Sequence, residues 1–311
     1  MRRFYHTGPV SGMLQPRRPY RGRLAPSPTG WLHLGHARTF WTAQQRARKS
    51  GGTLVLRIED IDRARCKTEF LNGLYEDMQW FGFTWNEGPD CGGPFGPYLQ
   101  SQRVESYRAA LDRLKQKRLV YPCACSRQDV LRAVSAPHAN NEDEPLYPGT
   151  CRPYKRVQSR EGIPGETTRV NWRFQVSDGE VISFVDNHFG PQTFIAGKDF
   201  GDFVLWRHDD IPSYQLAVVV DDAAMGITEV VRGEDLLKST ARQLLLYRAL
   251  DLNPPAFHHC PLVTDSSGVR LAKRHDSLSL RALRAKGISP GEIRDDWAMV
   301  MSEGEVKPVA E

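Results

Sequence analysis

The chain has 311 residues, 40% of them hydrophobic and 25% charged, which at about 150 residues per domain suffices for two ordinary cores or one large one. That balance excludes collagen-like, low-complexity and wholly disordered chains, and no run approaches the ~18 consecutive apolar residues of a membrane helix. Its 42 Lys and Arg against 37 Asp and Glu leave +5, but the first 23 residues contain Arg2, Arg3, Arg17, Arg18, Arg21 and Arg23 and no acid, so the basic character is local and general adhesion to nucleic acid is not expected.

Residues 1–20 mix Arg, Pro and Gly without apolar periodicity and read as a flexible basic arm. The arm has no apolar block of a signal peptide, and it is poor in Ser and lacks the amphipathic helix of an organelle presequence, so a cytoplasmic protein is expected. Arg23-Leu24-Ala25 is a short strand running into the loop Pro26-Ser27-Pro28-Thr29-Gly30, stiffened by prolines and turned by glycine. Ala37, Phe40, Trp41, Gln44 and Ala47 fall at helical spacing before the stop Gly51-Gly52, and the β-branched, apolar run Thr53–Glu59 predicts a buried parallel strand. A second helix buries Phe70, Leu71, Leu74, Met78 and Phe81. Strand, loop, helix, strand, helix predicts an α/β fold with a doubly wound parallel sheet, which binds ligands at the carboxyl ends of its strands.

After the Gly- and Pro-rich loop from Gly88 to Pro97, Ser101 is read as the cap of a helix carrying Val104, Tyr107, Leu111 and Leu114. From Tyr121 to about Trp206 the pattern breaks into cysteines, a polar run from Pro137 to Pro145 and basic strand-like segments, the texture of an inserted module. Gln215–Val220 and Ile227–Val231 are then read as strands, followed by a helix from Ser239 to Leu250.

Two constellations carry chemistry. In His33-Leu34-Gly35-His36, two imidazoles flank a glycine at a helix start, an arrangement suited to a nucleotide phosphate. In Arg270-Leu271-Ala272-Lys273-Arg274, three cations follow the turn Ser266-Ser267-Gly268 and suit a polyphosphate. Each pattern by itself also describes an ordinary solvated loop.

Taken in order, these stretches resemble the class I aminoacyl-tRNA synthetases of the glutamyl type. Arg23 to Gly30 with His33-Leu34-Gly35-His36 matches the family's opening signature and "HIGH" element, with Leu for Ile. Arg57-Ile58-Glu59-Asp60-Ile61-Asp62 resembles its second strand, and Arg232-Gly233-Glu234-Asp235-Leu236 a later active-site loop. The basic pentad stands where the family keeps "KMSKS", with only Lys273 matching a lysine of that motif.

The resemblance implies a Rossmann-like catalytic domain over 21–105 and 210–262, an inserted acceptor-type module over 106–209, and a loop with a short C-terminal segment over 263–311. It implies activation of glutamate by ATP with Mg²⁺. His33, His36 and Lys273 would act on the nucleotide. The segment Arg23, Leu24, Ala25, Pro26 and Ser27, together with Arg232, would address carboxylates, Glu59 the ammonium, and Tyr214 would supply a hydroxyl. The 37 residues after the pentad are too few for an anticodon-binding domain. The resemblance is therefore to the shorter glutamyl-queuosine tRNA(Asp) synthetase group, which transfers glutamate to queuosine-containing tRNA(Asp); no membrane partner and a monomer are expected. A short synthetase charging tRNA(Glu), and a weakly catalytic tRNA- or glutamate-binding paralogue, are the alternatives.

Cys123, Cys125 and Cys151 cluster in the insert while Cys66, Cys91 and Cys260 lie elsewhere, a pattern that in a reducing compartment points to metal. Structural zinc takes four ligands. Ordinary ligand chemistry favours His138 as the fourth, whereas the resemblance to the zinc element of bacterial glutamyl-type relatives favours Tyr147. Arg152, Lys155, Arg156, Arg160, Arg169 and Arg173 oppose only Glu161 and Glu166 in the same stretch, so phosphate contact is expected there.

Overall fold

The computed structural model describes residues 18–126, 128–130, 146–153, 170–263 and 279–303. The basic arm up to residue 17, His138, four of the six basic residues of the insert and the pentad with Lys273 lie outside the described residues. Among the described residues, no helix is long and apolar enough to cross a membrane.

The opening follows the predicted alternation. Strand β1 (Arg21–Leu24) pairs in parallel with β2 (Thr53–Leu56), Leu24 facing Leu56. Between them runs α1 (Leu34–Lys49), which buries Ala37, Phe40, Ala43, Gln44 and Ala47 and ends before Gly51, whose φ of 56° suits a residue without a Cβ. Helix α2 (Thr68–Phe81) buries Leu74, Met78 and Phe81 and stops at Gly82, φ 89°. Phe81 stacks on Phe83 at 4.8 Å in a core shared with Leu24, Leu56 and Ile58.

Helix α3 (Val104–Gln116) starts differently from expectation. Its N-cap is Arg103, without a side-chain cap bond, and Ser101 sits in the preceding short turn Gln100–Gln102. A longer-range demand explains the shift: buried Asp221 accepts from Arg103 Nε at 2.6 Å, from Gln100 Nε2 at 2.7 Å and from Tyr107 Oη at 2.8 Å. Three donors on one buried carboxylate outweigh a single hydroxyl cap.

Strand β3 (Val120–Cys123) pairs antiparallel with β4 (Asn171–Phe174). The hairpin β5 (Val181–Asp186) and β6 (Gly190–Ile195), read from the sequence as part of the insert, joins another sheet. Strand β7 (Phe203–Trp206) completes the sheet β3-β4-β7. After β7 comes helix α4 (Tyr214–Ala224), where the sequence predicts a strand over Gln215–Val220. Ser213 caps it, accepting from the Leu216 N–H, and Leu216, Ala217, Val218 and Val219 are all buried. A continuous apolar run with no polar face does not separate a buried strand from a buried helix.

Strand β8 (Glu229–Gly233), the turn Glu234–Leu236, helix α5 (Leu237–Ala249) and β9 (Ala256–Cys260) follow. The second sheet has the order β6-β5-β9-β8. Asp186 at the end of β5 accepts the His259 N–H at 3.1 Å and contacts His259 Nδ1 at 2.6 Å, and Thr240 Oγ1 lies 3.2 Å from the other ring nitrogen. This fully buried knot explains why the hairpin belongs with β9. Helices α6 (Leu280–Ala285) and α7 (Pro290–Glu303) end the described chain.

The chain is α/β, but the strands of the described residues form sheets of two, three and four strands rather than one doubly wound sheet. Two compact units result. One holds Tyr20–Leu99, Val231–Glu234 and the chain from Cys260 on; the other holds Gln100–Val230 and Asp235–His259.

Candidate functional site

The unit of β1 and β2 gathers most of the residues expected to bind nucleotide and amino acid. Beyond β1 the chain stays stitched to its parallel neighbour: Arg57 N–H donates to Leu24 O and Glu59 N–H to Pro26 O, both at 2.9 Å. The loop Ala25–Ser27 is thereby held beside Glu59, with Pro26 buried and Ser27 exposed. Arg23 is 4% exposed, and its Nη1 donates to the Val231 carbonyl at 2.9 Å, the residue next to buried Arg232. Glu59 Oε1 accepts from Arg57 Nη2 at 3.2 Å, and the Arg57 side chain is fully buried. The sequence reading did not single out Arg57. Its signal was a charge inside an otherwise apolar strand, which in a buried setting calls for a paired partner. Three cationic groups, Arg23, Arg57 and Arg232, and one carboxylate, Glu59, therefore sit around the ends of β1, β2 and β8; with Arg57 held by Glu59, the set suits an amino acid with two carboxylates and one ammonium.

His33 is the N-cap of α1, and its Nδ1 accepts from the Gly35 N–H at 3.2 Å. That bond assigns the remaining proton of a neutral ring to Nε2, which then serves as a donor. The His33 and His36 rings lie 3.7 Å apart between centroids. A Cβ at Gly35 would come within 3.1 Å of the His33 ring, so the glycine admits the imidazole onto the helix end. The result is a helix N-terminus edged by two imidazoles, suited to an anion.

Beside this region Arg21 forks onto Glu87, Nη1 to Oε1 at 2.8 Å and Nη2 to Oε2 at 2.9 Å, and Tyr98 Oη donates to the same carboxylate at 2.8 Å. The Arg21 bonds hold the Glu87 carboxyl below its ordinary range against the opposing pull of burial. Thus Arg21 and Arg23, counted by sequence among six clustered arginines, are strand residues with internal partners. Tyr214 belongs to the other unit, at the first turn of α4, and is 37% exposed.

The cysteine module forms a second centre. Cys123 ends β3, Cys125 follows it, and Cys151 comes from the described stretch 146–153. Their sulfurs lie within 4.8 Å of one another, the one group of three or more His, Cys, Asp or Glu side chains among the described residues arranged to hold a metal ion. Tyr147 Oη lies 3.3 Å from Cys123 Sγ and 3.7 Å from Cys125 Sγ, and Cys125 Sγ lies 3.6 Å from Cys151 Sγ. A tetrahedron with Zn–S of about 2.3 Å and Zn–O of about 2.0 Å has edges of about 3.8 and 3.5 Å, so the four donors fit Zn²⁺. The Cys151 N–H donates to Tyr147 Oη at 2.9 Å, which orients the phenol oxygen into the cluster. Burial pushes the Tyr147 phenol and the Cys125 thiol up in pKa; contact with Cys151, followed by burial, does the same at Cys123. Ion binding therefore has to release protons.

Of the six basic residues expected to meet phosphate in the insert, Arg152 and Arg173 do something else. Arg152 is 7% exposed and forks onto Asp202, with Nε to Oδ2 and Nη2 to Oδ1 both at 2.6 Å, while Nη1 reaches Asp178 at 2.7 Å. Tyr121 Oη and the Val176 N–H complete Asp202. Arg173 is 9% exposed and turned to Cys123, Tyr147 and the Asp202 carbonyl. Local charge density in sequence does not report exposure, and both cations are spent inside the module.

Comparison with known proteins adds the following. A family model described as tRNA synthetases class I (E and Q), catalytic domain, matches residues 20–295. The glutamyl-Q tRNA(Asp) synthetase of Symbiobacterium thermophilum is 52% identical over 272 residues, covering 86% of this chain and 82% of that protein. Its namesake from Nitratidesulfovibrio vulgaris is 49% identical, covering 90% of this chain and 86% of its own. The solved glutamate–tRNA synthetase of Elizabethkingia anophelis matches with a TM-score of 0.66 at 28% identity, covering 86% of this chain and 54% of that one; the chain thus spans about half of that synthetase.

Proposed function

The chain belongs to the class I tRNA synthetases of the glutamate and glutamine type, and from that premise we propose that it activates L-glutamate with ATP, without needing tRNA for that step, and transfers the glutamyl group to the queuosine at the wobble position of tRNA(Asp). The observation that carries this reading is the pair of relatives 52% and 49% identical, each matched over more than four-fifths of its own length and each named glutamyl-Q tRNA(Asp) synthetase.

In the activation step an α-carboxylate oxygen of glutamate attacks the α-phosphorus of ATP, and the bond to pyrophosphate breaks. Charge accumulates on the phosphoryl oxygens, so the protein's contribution is positioning and electrostatic stabilisation. The roles are those the family resemblance implies, and the local geometry supports them where the residues are described. The His33 Nε2–H and His36, at the start of α1, face the nucleotide phosphates. Lys273 takes the charge of the departing pyrophosphate, with Mg²⁺ accompanying ATP. Arg23 and Arg232 bind carboxylates of glutamate, with the Leu24–Ser27 segment as the wall of the pocket. Glu59, steadied by Arg57, binds the ammonium. Because Arg23 is anchored to the Val231 carbonyl, its guanidinium is oriented before substrate arrives, which lowers the entropic cost of binding. The module Cys123, Cys125, Tyr147 and Cys151 would hold one structural Zn²⁺, which cross-links the insert; the ion has no part in the chemical step.

The test compares glutamate transfer to tRNA(Asp) with and without queuosine, alongside glutamate-dependent pyrophosphate exchange in the absence of tRNA. Exchange without tRNA and transfer only to the queuosine-containing acceptor are expected. Efficient charging of unmodified tRNA(Glu) would replace this acceptor with the one suggested by the name of the solved relative. Loss of exchange in a folded, metal-loaded protein would leave a binding paralogue.

A further inference from the structure

Arg173 sits in β4 directly across from Tyr121 of β3, diagonal to Cys123. Its one guanidinium makes three contacts. Nε–H donates to Cys123 Sγ at 3.3 Å, Nη1–H donates to the Asp202 carbonyl at 3.1 Å, and the central carbon lies 3.9 Å from the centroid of the Tyr147 ring. Two of the four donors that converge in the cysteine module are therefore touched by the same buried cation, one through its sulfur and the other through its ring face.

We propose that Arg173 is the positioning residue of this metal cluster, setting both its affinity for Zn²⁺ and the use of a tyrosine oxygen as the fourth ligand. The inference rests on the zinc reading of the module and deepens it. Three thiolates and a phenolate around one dication leave a formal charge of about −2 in a closed site, a burden that outer hydrogen bonds and cations must relieve. The neighbouring Arg152 does not fill this role, because its fork is spent on Asp202 and Asp178. Arg173 places its charge against a ligand sulfur, and its planar fork lets it donate in the plane while stacking over the tyrosine ring. Stacking holds the ring from its face, and the Cys151 N–H holds its oxygen from the edge, so the phenol cannot swing away from the thiols. A lysine supplies the charge but neither the Nε direction nor the stacking plane.

The experiment measures zinc stoichiometry and affinity by chelator competition on the full chain, for wild type, Arg173→Lys, Arg173→Met and the control Arg207→Met, whose arginine is an exposed partner of Asp209. The visible spectrum of the cobalt-substituted proteins is recorded in parallel. Arg173→Met is expected to weaken zinc about 10–100-fold and to shift the cobalt bands, as loss of an outer hydrogen-bond partner does. Arg173→Lys should recover only part of that affinity, and the control should match wild type. One zinc per wild-type chain with unchanged affinity and unchanged cobalt bands in the Arg173 variants would overturn the role of Arg173 while leaving the zinc site intact. A wild-type chain that binds no zinc would overturn both readings. Should Arg173→Met fail to fold, the lysine variant decides: wild-type affinity there overturns the proposal, and reduced affinity with an altered cobalt spectrum supports it.

Discussion

At the ends of β1 and β2, Arg23 and Glu59 are oriented by Val231 and Arg57, while Ser27 and His36 close by are exposed. Around Cys123 the arrangement is more closed: Cys123, Tyr147 and Cys151 are all buried, and the arginines beside them bond to Asp202, Asp178 and the cluster itself. Both regions concentrate charge and titratable groups, yet the first keeps exposed groups beside its paired charges and the second closes its charges on each other. Charged residues alone do not distinguish an open polar site from a closed structural brace; what separates them in the fold is whether exposed polar groups remain beside the paired charges.

The widest contrast is expected on removing a brace. Arg152→Met should destabilise the unit that holds the module by about 3–5 kcal/mol, because it strips a buried carboxylate of its main partner; urea denaturation with and without zinc measures it, and a loss below about 1 kcal/mol would place Asp202 outside the structural core of the module. On the reactive side, Lys273→Ala should lower the rate of glutamate-dependent pyrophosphate exchange by about 10²–10³ with a smaller change in glutamate KM, the pattern of a group acting on the transition state. An unchanged rate would remove Lys273 from the chemistry.

A smaller effect is expected at the amino-acid end. Arg232→Lys keeps the charge but loses the fork, so glutamate KM should rise about 10-fold while kcat falls less, the size of one charge-assisted hydrogen bond. Steady-state exchange over glutamate concentration reads this directly.

The smallest effect concerns pH. Arg21 holds the Glu87 carboxyl below its ordinary range in the folded chain, so this group stabilises the fold above the unfolded carboxyl's pKa of about 4.3 and the contribution disappears as pH falls through the lower folded value. Glu87→Gln should therefore cost about 1 kcal/mol at pH 7, with the gap to wild type closing in acid. A gap independent of pH would mean that the pair contributes packing rather than charge.

Where sequence periodicity had one solution, it was sufficient. In α1 the spacing of Ala37, Phe40, Gln44 and Ala47 reads unambiguously as a buried helical face, and β2 reads as a strand because its apolar run is short, β-branched and preceded by Gly51-Gly52. The reading failed at α4, where residues 216–220 form an unbroken apolar run and only Ser213 marked its start. It failed again at Ser101, since the attraction of Arg103 to Asp221 spans 118 residues. Arg152 and Arg173 are expected from sequence to meet phosphate because a run of basic residues carries no record of the acceptors that fold onto it. The cysteine cluster was visible from spacing; Tyr147 came from the family resemblance, and in the fold its oxygen lies 3.3 Å and 3.7 Å from two of the sulfurs.

What the sequence determined by itself is the chemistry on offer: the two imidazoles around Gly35, the arginines and Glu59 of the strand ends, and three thiols within one short module. These are local properties, set by residue type and by spacing within a turn or a strand. The tertiary structure alone decided which of the charges are paired within the protein, and it set the Tyr147 oxygen beside the sulfur cluster. Those outcomes depend on contacts between residues far apart in the chain, such as Arg23 with Val231 and Arg152 with Asp202, and only the packed fold brings them within hydrogen-bonding distance.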